Sequence, residues 1–153
     1  MTKLSCDVIS MLQGKTLATA ESCTGGGIGA ELTSVPGSSK VYKGGIISYN
    51  NEVKINQLGV VPAILNREGA VSAPVAEAMA TGVRERLQAD IAVSVTGLAG
   101  PDGDEFGNPV GTVYIGYADE KKIISRKYLF SGSRQEIRQQ ATEEALKIIL
   151  DNQ

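Results

Sequence analysis

The sequence predicts a three-layer α/β/α domain built on a mixed sheet of five strands, one of them antiparallel. Three observations lead there. Helical stripes and β-branched runs alternate through most of the chain, the order that lays strands in parallel and joins them with helices. Near the end, Thr112 to Ala118 and Ile123 to Phe130 face each other across Asp119-Glu120-Lys121-Lys122 with no helix between them, a hairpin that turns one strand against the rest. The length, 153 residues, fits one domain spanning 1–153, with a core large enough to need no staples or metals, and no internal repeat divides it.

The elements follow in order. Leu4, Val8, Ile9 and Leu12 form a helical stripe that stops at Gly14, and Thr16 to Ala20 reads as a short strand. Glu21 to Gly27 is a glycine-rich turn, and Ile28 to Leu32 opens a helix on those glycines. Pro36-Gly37-Ser38-Ser39 ends it, Gly45 to Tyr49 makes the second strand, and Asn50-Asn51 turns the chain again. Two short helical pieces, Glu52 to Leu58 and Pro62 to Glu68, precede a longer helix capped by Ser72, with Pro74 in its first turn and a stripe of Val75, Met79, Val83 and Leu87. Ile91 to Val95 reads as a buried strand. The stretch Gly97 to Gly111 holds five glycines and two prolines in fifteen residues and is therefore a long surface loop of the functional kind. Ser133 and Glu136 predict a capping box for the final helix, whose stripe is Ile137, Ala141, Ala145 and Ile148.

Composition removes several functions. A net charge of −2, no Trp, two Phe and five Tyr supply neither a basic patch nor stacking platforms, so nucleic acid is not an expected partner. No apolar run approaches the roughly 20 residues that span a bilayer, and the amino terminus lacks the segments of a signal peptide; no membrane association and a cytoplasmic location are expected. The two cysteines, Cys6 and Cys23, have neither disulfide-framework nor zinc spacing and are expected to be reduced thiols. There is no histidine. Ser-His and Cys-His relays within the chain are excluded, and a zinc site is disfavoured; an activated hydroxyl must take Lys, Asp, Glu or Tyr as its base.

Parallel strands joined by right-handed crossovers put their carboxyl ends on one edge of the sheet, so Ser22, Tyr49 and Thr96 are expected to converge there, at the usual ligand edge of an open α/β fold. Ser22 sits where a strand bends into a helix, the setting of a nucleophile elbow. The N–H groups of Cys23, Thr24, Gly25 and Gly26 can then hold a phosphate or the oxyanion of a tetrahedral intermediate, although Ser22 or Thr24 serves equally as a plain helix N-cap. Lys54 and Tyr49 lie within a strand spacing of about 4.8 Å of the bend, and a Ser-Lys pair is an established substitute for Ser-His. Taken singly, they read as a surface lysine and a strand-end tyrosine. As a base near neutrality, Lys54 needs a pKa about 3 units below its usual ~10.4, which burial can supply.

Gly25 to Ala30 satisfies the dinucleotide fingerprint, but the second strand ends in Ser48, Tyr49 and Asn50 rather than in the acidic residue a ribose requires. Asp102, Asp104 and Glu105 lack EF-hand spacing, so neither a cofactor nor a metal is expected.

Four motifs in order, Ala20-Glu21-Ser22-Cys23-Thr24-Gly25-Gly26, Tyr49-Asn50-Asn51-Glu52-Val53-Lys54, Gly69-Ala70-Val71-Ser72 and Thr96-Gly97-Leu98-Ala99-Gly100-Pro101, resemble the carboxy-terminal domain family of the CinA competence-associated proteins over nearly the whole chain. The resemblance implies deamidation of nicotinamide mononucleotide to nicotinate mononucleotide and ammonia, in pyridine-nucleotide salvage. It places the nucleophile at Ser22 and its partners at Tyr49 and Lys54. Larger members carry an amino-terminal pyrophosphatase-like domain, which is not expected here. The substrate phosphate needs donors of its own, and Gly37-Ser38-Ser39, Thr96, Gly97 and Gly100 of the loop, and Arg138 are the candidates. A non-catalytic module holding nucleotide or phosphate on the same turn is the alternative, and a dehydrogenase a weaker third. A homodimer, common among small enzymes, is the default assembly.

Overall fold

A computed structural model describes residues 1–153. The chain runs α1 (Lys3–Met11), β1 (Leu17–Glu21), α2 (Gly27–Thr33), a 3-10 turn (Ser38–Lys40), β2 (Tyr42–Ile47), α3 (Asn51–Leu58), α4 (Pro62–Glu68), α5 (Ala73–Leu87), β3 (Ile91–Gly97), β4 (Thr112–Ala118), β5 (Ile123–Leu129) and α6 (Arg134–Asp151). The five strands form one sheet in the order β2-β1-β3-β4-β5. β1 lies parallel to both β2 and β3, while β4 is antiparallel to β3 and to β5, so β4 alone runs against the other four, as the hairpin predicts. No helix is long and apolar enough to cross a membrane.

Strand alternation divides the core in two. Leu17, Ile91, Val93, Val95, Val113, Ile115 and Tyr117 point to one face and pack against α1, α2 and α6, which contribute Val8, Leu12, Ile28, Leu32, Ile137 and Ile148. Ala18, Ala20 and Ala92 point to the other, beneath α5 with its Val75, Met79 and Val83 and the flanking Leu58 and Leu65. Small residues on this second face let α5 settle close to the strands: Ser94 Oγ donates to the Ala76 carbonyl at 2.5 Å, and a Cβ on Gly116 would come within 2.4 Å of the same oxygen.

The same closeness governs the contact between α5 and α3. A Cβ on Gly82 would stand 1.9 Å from the Leu58 carbonyl oxygen, a backbone atom with nowhere to retreat. Gly82→Ala is therefore expected to destabilise the protein by about 2–3 kcal/mol, an overpacking cost that outweighs the entropy gained in the helix. Thermal unfolding should show it as a fall in Tm of roughly 5–10 °C, and an unchanged Tm would refute the close contact.

Two local expectations are corrected. β2 begins at Tyr42, not Gly45, and ends at Ile47, not Tyr49. The strand starts three residues before Gly45 and passes through Gly44, and at Gly45 it runs so close to β1 that a Cβ would lie 2.2 Å from Thr19 Oγ1. Ser72 stands at the N-cap of α5, but its hydroxyl donates to the Gly69 carbonyl instead of capping a helix amide. The capping box of α6 forms as expected, with Glu136 N donating to Ser133 Oγ at 3.2 Å and Ser133 N to Glu136 Oε1 at 2.9 Å.

Candidate active site

From β1 the chain crosses to β2 over one face and returns to β3 over the other, so the carboxyl ends of β1, β2 and β3 border a single crevice. A cavity of about 310 Å³ opens there, lined by Ser22, Cys23, Tyr49, Arg134 and the segment Gly97 to Asp102.

Ser22 follows β1 directly, its N–H held by the Val95 carbonyl of β3 at 3.0 Å. The end of β2 is fastened to the same point, because Ser48 N donates to the Glu21 carbonyl at 2.7 Å. Asn50 then caps α3 by accepting from Val53 N at 3.0 Å. That cap sets the phase of the helix: Lys54 lies one turn in, and a side chain there leans back toward the amino end, over the strand edge. Lys54 Nζ donates to the Ser48 carbonyl at 2.6 Å and lies 3.1 Å from Ser22 Oγ. The lysine is 2 % exposed and has no carboxylate partner. Burial lowers its pKa from 10.5 to about 8, against a small opposing effect from Cys23. At pH 7 about one molecule in ten then carries the neutral amine. In that form one N–H still serves the Ser48 carbonyl and the lone pair can face the serine hydroxyl.

The turn after Ser22 differs from the expected row of open amides. Gly25 N donates to the Ser22 carbonyl at 3.0 Å, and Gly26 N to Glu21 Oε1 at 3.2 Å. Glu21, 2 % exposed, also accepts from Thr24 Oγ1 at 2.6 Å, from Ile28 N at 3.0 Å and, through Oε2, from Gly29 N at 3.0 Å. Its carboxylate thus occupies the amino end of α2, where a dinucleotide fold would seat a pyrophosphate. Gly25 and Gly26 are corrected from ligand donors to turn formers, with φ of 59° and 104° that favour glycine. Only Cys23 and Thr24 keep N–H groups with no protein acceptor. The Cys23 thiol is buried, and desolvation lifts its pKa from 9.0 to about 11.

The other expected residues divide. Tyr49 lines the cavity but stands 60 % exposed, and its hydroxyl accepts from Arg134 Nη2 at 2.8 Å; it bonds neither Ser22 nor Lys54. Gly97 and Gly100 line the cavity, whereas Thr96 turns away, donating to the Ala70 carbonyl at 2.8 Å. Arg138 is also drawn elsewhere: Nε donates to the Cys23 carbonyl at 3.0 Å and Nη2 to the Thr24 carbonyl at 3.2 Å, behind the turn. Gly37, Ser38 and Ser39 are not brought to the site. They precede Tyr42, which pairs with Leu17 at the start of β1, so they lie at the opposite edge, roughly 15 Å from Ser22 at about 3.3 Å per strand residue.

Two residues were not anticipated. Arg134 reaches from the first turn of α6 to Tyr49 and to the Gly100 carbonyl, bridging two sides of the cavity mouth. A cation in a helix's first turn opposes the macrodipole, and that mismatch is the signal the sequence offered. Glu21, read from the sequence as the first residue of the glycine turn, is the last residue of β1, and an acid directly before a glycine-rich helix start is the signal it offered.

Fold and site together define an α/β protein with a histidine-free serine–lysine pair at the carboxyl edge of a mixed sheet. The chain belongs to the CinA C-terminal domain family, whose model matches residues 1–152. A CinA-like protein of Thermosynechococcus vestitus is 57% identical over 121 residues, covering 78% of this chain and 29% of the relative. One from Desulfotalea psychrophila is 47% identical over 137 residues, covering 90% and 33%. The chain thus spans about a third of the length of the curated relatives it matches. Solved structures agree over almost the full chain: a CinA superfamily protein from Escherichia coli superposes with a TM-score of 0.96 at 33% identity, covering 98% of this chain and 88% of that one. A competence/damage inducible protein from Agrobacterium tumefaciens gives 0.95 at 36%, covering 99% and 94%.

Proposed function

We propose that this chain hydrolyses the carboxamide of nicotinamide mononucleotide to nicotinate mononucleotide and ammonia, with Ser22 as nucleophile and Lys54 as base. The observation that carries the chemistry is the buried amine of Lys54, with its lowered pKa, 3.1 Å from Ser22 Oγ. The motif resemblance supports this substrate, and the cavity of about 310 Å³, at the lower end of the range for small-molecule sites, is compatible with a small ligand.

Neutral Lys54 takes the Ser22 proton as the oxygen attacks the carboxamide carbon, and the negative charge that develops on the amide oxygen is met by the Cys23 and Thr24 N–H groups. Lys54 returns the proton to the departing nitrogen, which leaves as ammonia. Water then attacks the acyl-serine with Lys54 again as base, releasing the acid and restoring Ser22. Tyr49, bonded to Arg134, shapes the mouth in this scheme rather than relaying a proton.

A pure phosphate-holding module would want Lys54 permanently cationic, which its burial opposes, and a dehydrogenase would want the helix start that Glu21 fills. The test is ammonia release by the purified protein from nicotinamide mononucleotide. Release stoichiometric with nicotinate mononucleotide supports the reading; binding of the nucleotide with no release would favour the non-catalytic alternative.

A further inference from the structure

We propose that Glu21 and Arg138 are positioning residues that together clamp the Ser22–Gly26 turn so that the Cys23 and Thr24 N–H groups remain free and aimed as oxyanion donors. The proposal rests on the reading of Ser22 as nucleophile.

A planar trans peptide points its C=O and N–H in opposite directions, so holding one fixes the other. Arg138 holds the Cys23 carbonyl and thereby sets the direction of the Thr24 N–H. It also holds the Thr24 carbonyl, which sets the Gly25 N–H, and that N–H bonds the Ser22 carbonyl. Fixing the Ser22 carbonyl in turn sets the Cys23 N–H. Glu21 in turn engages the Gly26, Ile28 and Gly29 amides and the Thr24 hydroxyl. With the Ser22 amide on Val95 and the Gly27 amide on the Thr24 carbonyl, every N–H from Ser22 to Gly27 except those of Cys23 and Thr24 has a protein acceptor.

This assigns Arg138 away from substrate phosphate, and the two roles separate by experiment. Steady-state kinetics of Glu21→Gln and Arg138→Lys are measured on nicotinamide mononucleotide and on nicotinamide riboside, the same amide without the phosphate. The clamp predicts a fall in kcat of ~10–100-fold, the range expected when oxyanion donors are displaced by about an ångström, with KM within about 3-fold and the same loss on both substrates. A loss confined to the phosphorylated substrate, or a raised KM at unchanged kcat, would overturn it.

Labelling of Ser22 by a fluorophosphonate, in which the serine oxygen displaces fluoride from phosphorus and its proton passes to Lys54, reads the same donors independently of substrate. Both variants should be labelled ~10–100-fold more slowly than wild type. Wild-type labelling at Ser22 without ammonia release would sink the substrate reading and leave the labelling rates to decide the clamp; no wild-type labelling at Ser22 would overturn the nucleophile and the clamp with it, whatever the ammonia assay shows. Should Glu21→Gln not fold, Arg138→Lys decides, and failure of that variant to fold as well would reduce the contacts to structural bracing and reject the proposal.

Discussion

Replacing Ser22 by alanine should lower ammonia release from nicotinamide mononucleotide by ~10³-fold or more while leaving the fold intact. The hydroxyl is the one atom the scheme cannot replace, since water attacking directly would lack covalent catalysis and keep only the oxyanion donors. Its removal disturbs little else: Ser22 Oγ touches Lys54 Nζ, while Lys54 keeps its shorter bond to the Ser48 carbonyl. Thermal unfolding should therefore move by no more than a few degrees. Retention of most of the activity in Ser22→Ala would end the case for this nucleophile.

Lys54→Met should be nearly as severe, at ~10²–10⁴-fold in kcat, the span assigned to general acid–base catalysis. Lys54→Arg should fail too, because a guanidinium stays protonated through the working range. In the wild type, kcat should climb with pH through an inflection near 8, where the amine of Lys54 becomes neutral, and level off above it. A profile flat from pH 6 to 10 would remove Lys54 from the proton path. Stability offers a second reading of the same residue. Because folding lowers this pKa, the unfolded chain binds more protons between about 8 and 10.5, and over that window stability rises with pH; below it the fold carries the full cost of a buried ammonium. The stability of wild type relative to Lys54→Met should accordingly improve by ~2–3 kcal/mol between pH 7 and 10, measured by denaturant unfolding.

Most of the architecture was legible because periodicity and punctuation agree along this chain: the β4–β5 hairpin, the α6 capping box and the Ser22 bend each have a local cause. Ser22 and Lys54 could be paired because topology puts strand ends on one edge and the lack of histidine leaves few bases. Side-chain direction was less accessible. Thr96 lies at the correct strand end yet bonds Ala70, since the alternation at the end of β3 sends it toward the α5 layer. Arg134 and Arg138 are one helical turn apart, and only the placement of α6 against the α2 turn decides which reaches the cavity mouth and which the backbone behind it. Gly37 to Ser39 were candidate donors for the substrate phosphate that the resemblance implies, but a helix that leaves one edge of a sheet must deliver its far end to the other.

Cys23 borders the serine and shares its cavity, but its sulfur remains protonated at neutral pH. Thiolate, not thiol, reacts with peroxides and alkylating agents. A site whose sulfur is kept dormant in this way can endure oxidants that would disable one built on cysteine, and iodoacetamide should leave turnover intact at pH 7.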